Sequence, residues 1–252
     1  MIHLGALPGA PRQREPLDAV IARAVTEATT LVGAGFDALI IENMHDVPYL
    51  LRDVGPEVVA SMTAAAVAVR RAVRVPLGVQ VLAGANRAAL AVALAADCQF
   101  VRVEGFVFAA VADEGLLAEA DAGPLLRYRR AIGAGHVRIF ADIKKKHSAH
   151  AITADVGIAE TTAAAEFVGA DGVVLTGTAT GEPTSIADLA VARRVTRLPL
   201  LVGSGATPDS LAALLAHADG VIVGSWIKRG GRWDEAVDAE RAAAMAMARD
   251  RA

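Results

Sequence analysis

Residues 137–150 read VRIFADIKKKHSAH: an apolar run that closes on an acid and opens into three consecutive lysines. A run this short, rich in branched and aromatic side chains, suits a strand covered on both faces, and its polar end places ionisable groups at the carboxyl edge of a sheet. The same pattern repeats along the chain. Strands are expected at residues 2–6, 37–42, 77–82, 100–104, 137–143, 172–176, 200–203 and 221–224. Alanine-rich amphipathic segments at 16–33, 56–73, 86–96, 123–133, 155–169, 185–196, 208–217 and 234–251 read as the helices between and after them, several ending at glycine. Eight strand–helix repeats predict an α/β fold, a closed (β/α)8 TIM barrel, with an open doubly wound sheet as the alternative. No polar linker divides the chain, so residues 1–252 are read as one domain.

Composition excludes several classes of function. The chain has 252 residues, a net charge of −3 and 4% aromatic residues, which argues against a nucleic-acid partner, where basic faces and stacking rings are expected. Mean hydropathy is +0.41, yet stretches free of ionisable side chains, such as residues 75–86, stay well short of the roughly 20 residues that span a bilayer. With one cysteine, Cys98, and no basic segment leading an apolar run at the N-terminus, a reducing cytoplasm is expected. The 25 basic residues include only four lysines, Lys144, Lys145, Lys146 and Lys228. In a chain that otherwise writes positive charge as arginine, those positions are candidates for an ammonium's own chemistry: imine formation, proton transfer or phosphate pairing. Lys145 reads more simply as a solvated loop residue.

A barrel carries its chemistry at the carboxyl ends of its strands. Polar residues recur there: His3, Glu42 and Asn43, Gln80, Arg102 and Glu104, Asp142 with Lys144 and Lys146, and Thr176. Alternation along a strand puts Arg102 with Glu104, and Asp142 with Lys144, on common faces, aimed into the mouth. A structural ion-pair layer inside the barrel is the competing explanation. Expected catalytic residues are Asp142, Lys144, Glu42, Glu104 and His147, with Asp142 or Glu42 as general base and Lys144 as electrostatic stabiliser or imine-forming nucleophile. His3, Asn43, Gln80, Arg102 and Thr176 are expected to contact substrate.

Two glycine-serine turns follow the last two strands: Gly203-Ser204-Gly205, then Gly224-Ser225 with Lys228 beyond. Barrels bind phosphate with these two loops, where free backbone N–H groups meet the anion. Gly203, Ser204, Gly205, Gly224, Ser225 and Lys228 are therefore expected to bind phosphate, capped by Gly177 and Thr178 after the sixth strand. His136 and His217 precede strands and read as structural, whereas His45, His147 and His150 fall on the site side. A divalent metal held by His3, Glu42, Asp142 and His147 is chemically conceivable, although no compact ligand motif is present. Asp46, Asp113 and Glu114 are loop acids suited to capping or to proton transfer.

The strings HLGALPG (3–9), DALIIENMHDVPY (37–49), FVRVEGFVFA (100–109), FADIKKKHSAH (140–150), DGVVLTGTATG (171–181), LVGSGAT (201–207) and DGVIVGSWIKRGGRW (219–233) resemble the BtpA/SgcQ family, in order and along nearly the whole chain. The resemblance implies a TIM barrel of the ribulose-phosphate-binding type. It also implies either a role in biogenesis of membrane complexes such as photosystem I or, in the SgcQ branch, in sugar metabolism. The family pattern carries several residues ahead of the His3 motif, so either a shortened first strand or a misassigned start site is expected. Two functions follow: an enzyme acting on a phosphorylated small molecule, a sugar phosphate or nucleotide, by isomerisation, epimerisation, lyase or N-glycosidic chemistry; or a non-catalytic assembly factor. The second needs an exposed docking surface, and no insertion or tail that would supply one is evident. Alanine-rich outer helices such as 86–96 are candidate homo-oligomer contacts.

Overall fold

The computed structural model describes residues 1–177 and 183–252. Thr178, one of the expected phosphate ligands, lies outside the described residues. The barrel strands are β1 (Ile2–His3), β2 (Leu39–Glu42), β3 (Leu77–Gln80), β4 (Phe100–Val103), β7 (Arg138–Ile143), β9 (Gly172–Leu175), β10 (Leu200–Val202) and β11 (Gly220–Val221). They form one parallel sheet in the order β1-β2-β3-β4-β7-β9-β10-β11. A doubly wound sheet reverses its strand order at a switch point; this order never reverses, and the Met1 nitrogen donates to Val223 O at 2.7 Å across the remaining seam. The fold is a TIM barrel.

Helices α1 (Leu17–Gly33), α2 (Pro56–Ala72), α3 (Asn86–Ala95), α4 (Ala122–Ala131), α5 (Ile158–Phe167), α6 (Ile186–Val195), α7 (Leu211–Leu215) and α8 (Ala239–Arg249) cover the outside. Alternation along each strand sorts the side chains. Outward residues such as Ile41, Val79, Val101 and Ile139 pack under the helices in the main core. Inward residues divide into an apolar floor and a polar mouth. On the floor Phe100 meets Phe140 edge to face at 5.6 Å, packed with Ile40 and Val174. The rings fit because Gly78 and Gly172 on neighbouring strands carry no side chain: a Cβ at Gly78 would lie 2.2 Å from Phe100, and one at Gly172 2.4 Å from Phe140. One step up the same inward rows stand His3, Glu42, Gln80, Arg102 and Asp142, all buried. Within α3, the apolar face of Ala89, Leu90, Val92 and Ala93 is covered by the chain's own core.

A second, antiparallel sheet corrects the expectation that no insertion is present. Strands β5 (Ala110–Ala112), β6 (Gly115–Leu117) and β8 (Ser148–Ala149) pair in the order β6-β5-β8. The β5–β6 hairpin turns at Asp113-Glu114, where Gly115 takes a left-handed φ of 122°. Among the described residues no helix is long and apolar enough to cross a membrane.

Candidate functional site at the barrel mouth

Arg102, on β4, donates from Nε and Nη2 to the two carboxylate oxygens of Asp142 on β7, at 2.7 and 3.0 Å. The expected same-strand groupings are thus replaced by a pairing across neighbouring strands. Burial weighs against the guanidinium charge, but the Asp142 carboxylate outweighs it and holds Arg102 above its ordinary value. With both oxygens engaged, Asp142 fits the structural ion-pair layer better than the expected role of general base.

Glu42 and His3 form the second group. His3 Nδ1 lies 2.8 Å from Trp233 O, and because a carbonyl only accepts, Nδ1 carries the proton of the neutral ring. Burial, followed by Lys228, pushes the His3 pKa well down, so the ring is neutral and its Nε2 lone pair faces Glu42 Oε2 at 3.6 Å. Burial raises Glu42, against the opposing charges of Arg102 and Lys146. A carboxyl pushed toward neutrality beside an imidazole lone pair is a proton donor–acceptor pair. Below its ordinary pKa of 6.5, His3 takes up a proton in the unfolded chain that it refuses in the folded one. Stability should therefore fall with pH below that value, by up to about 1.4 kcal/mol per unit for this one group. Urea midpoints at about pH 7 and 5.5 should show a shallower fall in His3→Gln; an unchanged slope would mean that His3 titrates freely.

The lysines rearrange what the sequence suggests. Lys144 adopts φ 46°, which breaks the strand alternation and turns its ammonium outward to Thr153 O at 3.4 Å. Lys145, expected in solvent, is 7% exposed and sits 3.5 Å from both Glu104 and Glu114, pinning the hairpin to the barrel. Burial raises Glu104, and Lys145 opposes the shift. Glu104 is thus tied to the hairpin. Lys146 turns into the mouth, where burial and then Arg102 lower its pKa. Absent from the expected catalytic set, it was marked by the rarity of lysine in this chain and by its place at the polar end of the fifth strand. His147, at φ 55°, stands over the hairpin 3.8 Å from Asp113 and does not line the mouth.

Other expected ligands prove to be architectural. Asn43 accepts from Leu82 N at 2.8 Å and donates to Asp46 at 2.9 Å, while Asp46 accepts from Leu7 N at 2.7 Å, tying three loops together. Lys228 is 1% exposed, with its ammonium 3.7 Å from Glu27 of α1, so it braces the wall and does not reach the anion turns. Gly203 is required by close approach: a Cβ there would lie 2.7 Å from Thr176 and 3.1 Å from the Arg102 guanidinium. Ser204 Oγ accepts from Gly177 N at 2.8 Å, joining the loops after β9 and β10. Gly205, at φ 73°, completes that turn. Among the described residues Gln80 Oε1 and Thr176 Oγ1 are buried without a hydrogen-bond partner.

The mouth cavity, lined by His3, Glu42, Arg102, Lys146, Ser204 and Ser225, with Gly203 and Gly224 at its edge, holds about 30 Å3. It opens beside two larger spaces. One, of about 330 Å3, shares His3; the other, of about 380 Å3, shares Lys146 and is lined also by Thr176 and Gly177. Among the described residues no three His, Cys, Asp or Glu side chains group as a metal site. His3 and Glu42 could supply two ligands, but Asp142 is held by Arg102 and His147 stands apart.

A parallel eight-stranded barrel with a carboxyl, an imidazole and an amine meeting at its carboxyl mouth, beside two glycine-serine turns, defines a TIM barrel. The chain matches the BtpA family over residues 1–251 and belongs to it. An uncharacterized mitochondrial protein of Caenorhabditis elegans is 44% identical over 246 residues, covering 96% of this chain and 88% of the relative. A Synechocystis protein named photosystem I biogenesis protein BtpA is 38% identical, covering 97% of this chain and 84% of the relative. The crystal structure of phosphoribosyl anthranilate isomerase from Thermus thermophilus superposes with a TM-score of 0.58 at 16% identity, covering 89% of this chain and 92% of that one. At that identity it shares the fold alone.

Proposed function

We propose that this BtpA-family barrel is an enzyme that moves a proton on a phosphorylated small molecule, a sugar phosphate or a nucleotide. The observation that carries the reading is the His3–Glu42 pair, 3.6 Å apart in the same cavity as Ser204, Ser225 and Lys146. Backbone N–H groups of Gly205, Gly224 and Ser225 take the phosphate, helped by the Lys146 ammonium; the Gly203 N–H is spent on Leu175 O. Glu42, as the carboxylate, removes a proton from carbon next to a carbonyl and, once protonated, returns that same proton to the neighbouring carbon or oxygen, while the Nε2 lone pair of neutral His3 accepts from the protonated carboxyl and holds it in place. The developing oxyanion lies against half-buried Lys146 and buried Arg102, charges held in place before the reaction. The roles expected of Lys144 thus pass to Lys146, whose place in the mouth suits the stabiliser and whose lowered pKa suits the imine-forming amine. Isomerisation or epimerisation of a phosphorylated sugar fits this set best, and the isomerase named above, with a phosphoribosyl substrate on the same fold, supports the choice. Calorimetric titration with ribose 5-phosphate should show binding weakened at least tenfold in Lys146→Met. Equal affinity would remove Lys146 from the site.

The assembly-factor reading, suggested by the name of the Synechocystis relative, has one observation in its favour. The inserted sheet presents Val111 and Leu116 to solvent at 41% and 55% exposure, an apolar face of the kind that partners cover. Under the enzyme reading, Val111→Asp with Leu116→Asp leaves ligand binding intact.

A further inference from the structure

We propose that the cavity of about 330 Å3 beside the mouth is a second recognition pocket, which takes a planar ring bearing a carboxylate or comparable anionic group. The ring belongs to the molecule whose phosphate sits in the mouth, so the proposal rests on the functional reading above. His3 lines both spaces, so a ligand whose phosphate occupies the glycine-serine turns and whose reacting carbon lies over His3 and Glu42 extends naturally into this one.

The pocket's walls fit a flat group. Trp233 is placed by its own backbone, since its carbonyl accepts the His3 Nδ1–H. Its ring packs against His45 at 5.0 Å, tilted by 52°, and lies 6.4 Å from the His3 ring. Burial lowers the pKa of both histidines, so the three rings make an uncharged aromatic surface on which a heterocycle can stack.

The outer rim is charged, and its pairing leaves a positive remainder. Arg23 is held by Glu15 at 2.8 Å, and Asp234 by two hydrogen bonds from Arg232 at 3.1 and 2.8 Å. Among the described residues Arg12, Arg14 and Glu235 form no ion pair, so two guanidinium groups face one carboxylate. Arg12 sits in the second of two successive turns, closed by Ala10 N to Leu7 O and Gln13 N to Ala10 O, each 3.0 Å, and Arg14 follows directly after it. A planar guanidinium matches a carboxylate through paired N–H donors. Among the described residues neither guanidinium makes a hydrogen bond or ion pair, and both side chains are exposed, which leaves them available to a ligand.

The test uses the full chain in a Trp226→Phe background, so that Trp233 is the sole tryptophan reporter. The probe is nicotinic acid mononucleotide, compared with nicotinamide mononucleotide and with ribose 5-phosphate. The acid should quench Trp233 fluorescence and bind at least tenfold more tightly than ribose 5-phosphate, with the amide between them. Arg12→Ala with Arg14→Ala should remove the preference for acid over amide and leave ribose 5-phosphate affinity unchanged. If ribose 5-phosphate binds but the acid binds no more tightly or leaves Trp233 unquenched, the second pocket is wrong and the functional reading stands. If none of the three binds, the functional reading fails and takes the pocket with it.

Discussion

Asp142→Ala should destabilise the barrel by about 3–5 kcal/mol, the usual consequence of leaving a buried charge without its partner. The side chain of Arg102 is 3% exposed and that of Asp142 1%, so neither can turn to water when the other is removed. Gly203 backs the guanidinium so closely that even a Cβ there would lie 3.1 Å from it, which leaves no room for an alternative rotamer on that side. Urea unfolding should show a lower midpoint with an unchanged slope. Replacing both partners, Arg102→Leu with Asp142→Leu, removes the charge as well as its partner and should cost much less than the single change. A single-variant loss below about 1 kcal/mol would show that the pair is solvated in solution and is no structural layer.

Glu42→Gln should lower turnover by about 10²–10⁴-fold, the contribution expected of a positioned general base. The assay is turnover of whichever phosphorylated compound stabilises the protein. The same change should make the fold more stable as pH rises. Burial lifts the folded carboxyl above its ordinary value of 4.5, so the unfolded chain loses this proton first. The parent then loses stability between that value and the folded pKa, by up to about 1.4 kcal/mol per pH unit, and glutamine does not. Urea midpoints of parent and variant, nearly equal at about pH 4, should separate in the variant's favour as pH increases. A variant that keeps full turnover, or that is less stable at neutral pH, would show that Glu42 belongs to the scaffold and not to the chemistry.

What could be read from the residues themselves followed the regularity of the backbone. The inward row of His3, Glu42, Gln80, Arg102, Asp142 and Thr176 is legible because side chains alternate strictly along a strand. The barrel order follows once each run is joined to the next by a helix. Reading failed where that regularity stopped. Lys144 leaves the strand in a left-handed conformation, so the inward position passes from the expected lysine to Lys146, and Lys145 drops between Glu104 and Glu114. The β5–β6 hairpin rests on two strands of three residues and a partner of two, shorter than the window in which alternation can be recognised. Its signal was the turn Asp113-Glu114-Gly115 between two apolar runs. Lys228 reads as an anion ligand by its place after Gly224-Ser225; only the packing of α1 against the loop before α8 reveals Glu27 as its partner. Asn43 likewise sits at a strand end, where substrate contacts are expected, yet its amide nitrogen is spent on Asp46 of its own loop and its oxygen on Leu82 of the next.

The most direct test of a phosphorylated ligand in the mouth is thermal unfolding of the parent and of Ser225→Asp across a panel of sugar phosphates and mononucleotides. Ser225 lines the mouth and among the described residues its hydroxyl bonds to no neighbouring loop, so the substitution adds a negative charge there without removing a bond of the described fold. A phosphorylated class present at 100 times its dissociation constant should stabilise the parent by about 2.7 kcal/mol. The account predicts that stabilisation in the parent and its loss in Ser225→Asp. Equal stabilisation of both proteins, or none by any compound in a folded parent, would contradict it.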